Sequence, residues 1–302
     1  GTWPNAGFSR GWSGVSESSS NAPVPAPAPR PSFGGKWTYA VLAVALLFVL
    51  MPFLFWNATW FGHPLTDDQI SKSLSDHKHA REIQHAMTQI EVRMERNDAS
   101  VRRWYPQLVS LASDPLTEIR VTDAWVMGQD STSEEFHGAL LKMLADPEPM
   151  VERNAALSLV RFGDDSGRAV IVAMLQAFAM PAPSSGTVRE RLKPGDALNP
   201  GTMVGHIDSG DHASSEIRVA VPGTLTGWAV PDKSAIASGQ TLLFIAPSSE
   251  IVWEGLRALY LIGKPEDAAT IEPYVRGNGD IPPQVREQAR LTLERVRSRS
   301  SS

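Results

Sequence analysis

Three histidines, His77, His79 and His85, crowd into the segment DHKHAREIQH. Histidine beside carboxylates is the usual raw material of a metal site or of acid–base chemistry. The spacing argues against both. Helical ligands to one ion stand three or four residues apart. His79, Glu82 and His85 step by three, and each such step drifts about 60° around a helix, so the outer histidines do not converge on one ion. They read as a solvated face. Asp67-Asp68 and Asp164-Asp165 suit a helix start and a turn better than a pair of catalytic carboxylates. No serine is framed as Gly-x-Ser-x-Gly, and no GxGxxG or Walker-type loop occurs. With no cysteine in 302 residues, thiolate nucleophiles, thiolate–metal sites and disulfides are excluded. A net charge of -5 argues against a general nucleic-acid binder. The expectation is no enzyme, no catalytic residues, no metal and no cofactor.

What remains is architecture. Residues 1–36 hold SESSS and APVPAPAPRP, a composition that stays extended because it buries too little apolar surface to offset its ordering entropy. Trp3, Phe8 and Trp12 would anchor such a tail along partner subunits. Residues 37–56 read WTYAVLAVALLFVLMPFLFW without a charge, a length that matches the ~30 Å hydrocarbon core. Trp37 and Tyr39 at one end and Trp56 and Trp60 at the other are the expected interfacial aromatics. Leu46 marks the centre, and Pro52 lies near the far end, where a lost backbone bond costs least. The stretch predicts one transmembrane helix and contact with the lipid bilayer. It is too long, and has no small-x-small site after it, for a cleaved signal peptide. Arg30 and Lys36 precede it, and the next basic residue is Lys72. The positive-inside bias therefore predicts a bacterial inner-membrane protein with a cytoplasmic N-terminus and periplasmic C-terminal domains.

Beyond it, Thr66-Asp67-Asp68-Gln69 has the form of a capping box. The following helix carries Ile83, Met87, Ile90 and Met94 along one face. An internal repeat then appears with a period near 32. Asp114-Pro115 recurs as Asp146-Pro147, Ile119 as Val151, Ala124 as Ala156, Trp125 as Leu157 and Met127 as Leu159. RNAALSLVRFG (153–163) aligns with WEGLRALYLIG (253–263), and a weaker copy starts near Val285. Each unit reads as an Asp-Pro turn, a helix, a second turn and a second helix such as Ala169–Phe178. Units of this kind bury their apolar faces only by stacking, so Trp125 and Leu157 are expected in the core.

The pieces IRVTDAWVMG and VERNAALSLVRFGD resemble the VR-x-x-AA-x-AL-x-x-(L/F)-G-D pattern of HEAT-like repeats of the bilin-lyase type. That resemblance implies protein binding and scaffolding. Between the helical halves, helical periodicity gives way to Pro, Gly and short β-type runs. GTVRERLKPGDALNPGTMVGHID (186–208) parallels GTLTGWAVPDKSAIASGQTLLFIA (223–246) with a one-residue gap. Together with EIRVAVPGTL, these pieces resemble the biotinyl/lipoyl-like barrel-sandwich hybrid. In carriers of that family, the modified lysine lies four residues before the glutamate that matches Glu216. Here that position is His212, so the resemblance implies a module that carries no swinging arm.

The expected fold is mainly α: a single transmembrane helix plus a HEAT-like α-solenoid interrupted by a small all-β barrel-sandwich module. The layout is a tail over 1–36, the span over 37–56, a membrane-proximal segment with an amphipathic helix over 57–99, repeats over 100–180, the β domain over 181–249, repeats over 250–297 and a tail over 298–302. The expected function is a non-catalytic scaffold or accessory subunit of an integral membrane protein complex, for which photosynthetic and respiratory assemblies are natural hosts. The alternative is a periplasmic adaptor of an efflux or secretion system, which predicts long flanking helical hairpins and a further β-barrel.

Overall fold

The computed structural model describes residues 36–59, 64–76, 78–210, 214–277 and 281–299. The chain divides into two units, Gly1–His63 and Pro64–Ser302. In the first, the described element is helix α1 (Lys36–Thr59), which contains Pro52. Tyr39, Leu46 and Pro52 are exposed on it. The side chains of Trp37, Trp56 and Trp60 lie outside what is described, as does the whole stretch 1–35 with Trp3, Phe8 and Trp12.

Among the described residues no helix is long and apolar enough to cross a membrane. This overturns the transmembrane helix expected over 37–56, the fold class built around it, and the single-pass inner-membrane localisation. The continuous run of described side chains in α1, Val41 to Pro52, is apolar throughout.

The second unit is helical on both sides of an inserted β module. Helices α2 (Asp67–Leu74), α3 (Ala80–Glu95), α4 (Tyr105–Leu111), α5 (Thr117–Met127), α6 (Glu134–Met143), α7 (Pro149–Arg161) and α8 (Arg168–Ala173) precede it. Helices α9 (Ser249–Ile262), α10 (Ala268–Arg276) and α11 (Pro283–Ser298) follow. The capping box forms as expected: Thr66 Oγ1 accepts from the Gln69 amide, and the Gln69 side chain accepts from the Thr66 amide. One device then repeats along the chain. The carboxylates of Asp98, Asp114, Asp130, Asp146 and Asp164 each accept from the amide two residues on, at 2.7–3.0 Å. Such Asx turns stop one helix and aim the next. Asp98, Asp114, Asp130 and Asp146 are evenly spaced, 16 residues apart.

Helices two elements apart lie side by side and are stitched at similar height. Asn154 Nδ2 donates to Val121 O and Ser158 Oγ to Ala124 O, at 2.9 and 2.8 Å. Thr292 Oγ1 repeats the contact on Leu256 O at 2.9 Å. The α5–α7 approach depends on Gly128, where a Cβ would lie 2.3 Å from Ser158 Oγ and 2.6 Å from its Cβ. Gly128→Val therefore forces the two helices apart. Urea unfolding should show a loss of about 1–3 kcal/mol, partly recovered by adding Ser158→Gly.

The helical halves share one core across the insertion. Ala156, Ile171 and Leu175 pack with Leu256, Leu259, Ile271 and Val296. The Arg168–Asp267 and Lys264–Asp165 ion pairs and the Tyr274 hydroxyl, which donates to Leu175 O, cross the same seam. The second helix expected over Ala169–Phe178 ends at Ala173, because Phe178 is taken by a strand.

The β module contains β1 (Phe178–Pro181), β2 (Gly186–Glu190), β3 (Ala197–Leu198), β4 (Met203–Asp208), β5 (Ser214–Arg218), β6 (Gly223–Trp228), β7 (Ala235–Ile236) and β8 (Thr241–Ala246). They form two antiparallel sheets, ordered β1-β8-β6-β3 and β5-β4-β2-β7. Exchanging the first four strands for the last four turns one order into the other. The symmetry extends to single bonds. Gly195 donates to Leu225 O and Leu225 to Asp196 O, while Lys233 donates to Val188 O and Val188 to Ser234 O. Gly201 and Gly239 hold matching left-handed turns, with φ of 84° and 81°. A Cβ on Gly186 would meet Asp208 O at 2.6 Å, and one on Gly223 would meet Ala246 O at 2.2 Å. Alanine at either glycine should destabilise the module, and a thermal melt of each variant checks this.

Candidate functional site: a face centred on Trp125

Among the described residues, those singled out for chemistry lie in separate places along the chain. His79 stands just before α3 and pairs through Nδ1 with Asp76 Oδ2 at 2.9 Å. That hydrogen bond raises the imidazole's pKa and lowers the carboxyl's. Ligand atoms of Asp76, His79 and Glu82 lie within 4.8 Å of one another, without His85, and both His79 and Glu82 are exposed. His77 and His212 are outside the described residues. Asp67 bridges Arg93 and Arg103 at 2.7 Å each, so it is a structural anion at the start of α2. Asp164 forms its Asx turn and also meets His137 Nε2 at 2.7 Å. The His137 ring stacks on Phe162, and among the described residues no serine hydroxyl hydrogen-bonds to it.

The most elaborate exposed arrangement runs across α3, α5 and α7. Trp125, expected in the core, is instead 38 % exposed; its neighbours Ala124 and Val126 take the buried positions. Its indole N–H donates to Glu91 Oε1 at 2.7 Å. Arg161 lies over the ring, 4.9 Å from its centroid, and donates to Gln129 Oε1 at 2.6 Å. Gln129 in turn donates to Trp125 O at 3.2 Å. Gln84 extends the line from α3, donating to Glu118 O and Thr122 Oγ1. Three alternate helices thus hold one aromatic ring in a fixed orientation. An arginine lies above it and a carboxylate sits at its polar edge. Leu157 on α7 is likewise only partly buried. Replacing Trp125 with Asp would therefore not bury a charge, contrary to the expectation drawn from the repeat alignment, whereas Leu157 packs against the core shared by the helical halves.

Asp123, one residue before Ala124, is the opposite case. It is fully buried, and neither carboxylate oxygen has a hydrogen-bond partner. Burial, helped by the nearby Asp114 charge, pushes its pKa well above the usual aspartate value. The repeat offers a signal for it, since the equivalent residue 32 positions on is Ala155.

No protein-family model matches the chain, and no curated protein matches it.

Proposed function

We propose that the protein is a non-catalytic scaffold that stabilises a larger protein assembly, docking through the α3–α5–α7 face around Trp125. The observation that carries this reading is the exposed, pre-oriented Trp125 between Glu91 and Arg161. Tryptophan and arginine are the side chains most enriched at binding hot spots. A ring already held in place loses little further entropy on docking. The sequence resemblances to HEAT-like repeats and to an unmodified barrel-sandwich module support the same reading, because both are used as rigid binding surfaces.

The test is isolation of the full chain, wild type and Trp125→Ala, from the cells that make it. A partner recovered in stoichiometric amount with wild type should be lost from the variant, with binding weakened by about 2 kcal/mol or more. The variant's stability should change little, since Trp125 sits at the surface. Recovery of the wild-type chain alone, or a partner that Trp125→Ala retains in full, would sink the proposal.

A further inference from the structure

Where α7, α8 and β1 meet, a cavity of about 420 Å³ opens, lined by Pro149, Glu152, Arg153, Val170, Ala173 and Phe178 among others. Its volume falls within the ~300–1,000 Å³ typical of small-molecule sites. Arg153 is only 8 % exposed. Among the described residues it makes no ion pair, and no carboxylate or carbonyl accepts from it. Its guanidinium carbon lies 5.8 Å from the centre of the Phe178 ring, and the Glu152 charge acts on it without a hydrogen bond. A guanidinium is not discharged by burial, so it keeps its charge, and its five donors are left to the cavity without a protein acceptor. Arg120, also buried, shows the usual solution: it is held by Asp146.

We propose that this cavity binds a small monocarboxylate with an apolar body, its carboxylate on the Arg153 guanidinium and its apolar end against Val170, Ala173 and Phe178. The planar fork of arginine matches a carboxylate bidentately. Glu152 lines the same cavity, too far from Arg153 to pair with it, and its charge disfavours a second negative group on the ligand. The site therefore prefers a monoanion to sulfate or a dicarboxylate. A ligand there would touch both the last helices before the insertion and the first strand of the β module, stabilising their junction.

The probe is 3-phenylpropionate, titrated calorimetrically into the full chain, with 3-phenylpropionamide and sulfate as comparisons. The acid should bind one-to-one, and the amide and sulfate at least about tenfold more weakly. Arg153→Met should weaken the acid by a similar factor, and Glu152→Gln should tighten it. Ala173→Phe fills the apolar end while leaving the guanidinium in place. It should abolish binding with an unchanged circular dichroism spectrum, which keeps the test decisive if Arg153→Met folds poorly. Absence of binding to wild type, equal binding of acid and amide, several acids per chain, or indifference to Ala173→Phe would each overturn the proposal.

Discussion

Asp123→Ala is expected to raise the stability of the folded chain at pH 7, by about 1–3 kcal/mol, the cost of burying a polar group without a hydrogen bond. The aspartate sits fully buried on α5 with both oxygens unpartnered, at the position where the next repeat unit uses Ala155. Because burial raises the carboxyl's pKa in the folded state, the folded chain holds this proton to a higher pH than the unfolded chain. Between the ordinary value of 3.8 and the raised folded value, the folded state binds more protons. The wild-type contribution from this group therefore worsens as pH rises through that window. Alanine has no such dependence. Urea unfolding of both proteins from pH 7 down to about pH 4 should show the variant's advantage shrinking as the pH falls. A variant less stable than wild type at pH 7 would mean that the carboxylate has a partner in solution.

The largest loss is expected from Arg120→Ala. Its guanidinium grips Asp146 with Nε to Oδ2 at 2.7 Å and Nη2 to Oδ1 at 3.0 Å, and it also donates to Asp114 O at 2.8 Å. It thereby joins two consecutive Asp-Pro turns. Both side chains are about one-tenth exposed, so removing the arginine strands a buried carboxylate, an effect of about 3–5 kcal/mol. Burial alone would raise the Asp146 pKa. The hydrogen bonds from Arg120 and the Glu148 amide, with the arginine's charge, outweigh it and hold the carboxyl below its usual value. Its contribution is thus full above that usual value and is lost as pH falls through the depressed one. The double variant Arg120→Met/Asp146→Leu should recover part of the loss, because neither charge is then left alone. Chemical denaturation of the two single variants and the double variant measures this coupling.

Much of the second unit was legible because it rests on local chemistry. Thr66 and Gln69 read directly as a capping box. The matched glycine turns of 186–208 and 223–246 marked two β segments of equal design, and the structure gives each the same strand pattern. The misses share a cause: they depend on what neighbouring elements do. Phe178 continues a helical apolar pattern, yet pairing with Ile245 on β8 claims it for the sheet. Trp125 looks like core by size and alignment, but on α5 the small Ala124 lies inward and the ring lies out. Asp123 looks like part of a polar helix face, and that face is covered by other helices. The expected span rested on the length and apolarity of 37–56 and on the aromatics at its two ends. On the proposed docking face, Glu91, Trp125 and Arg161 lie 34 and 36 positions apart, and only the side-by-side packing of α3, α5 and α7 brings them together.

Site-specific photocrosslinking in the native cells shows whether a partner docks on the Trp125 face. A photoreactive side chain placed in turn at Trp125, Arg161 and Gln84, with exposed Arg286 on α11 as control, reports what each position touches. Docking through this face should give one common partner crosslinked at the first three positions and not at Arg286. Crosslinks at Arg286 with none at Trp125, Arg161 or Gln84 would contradict it.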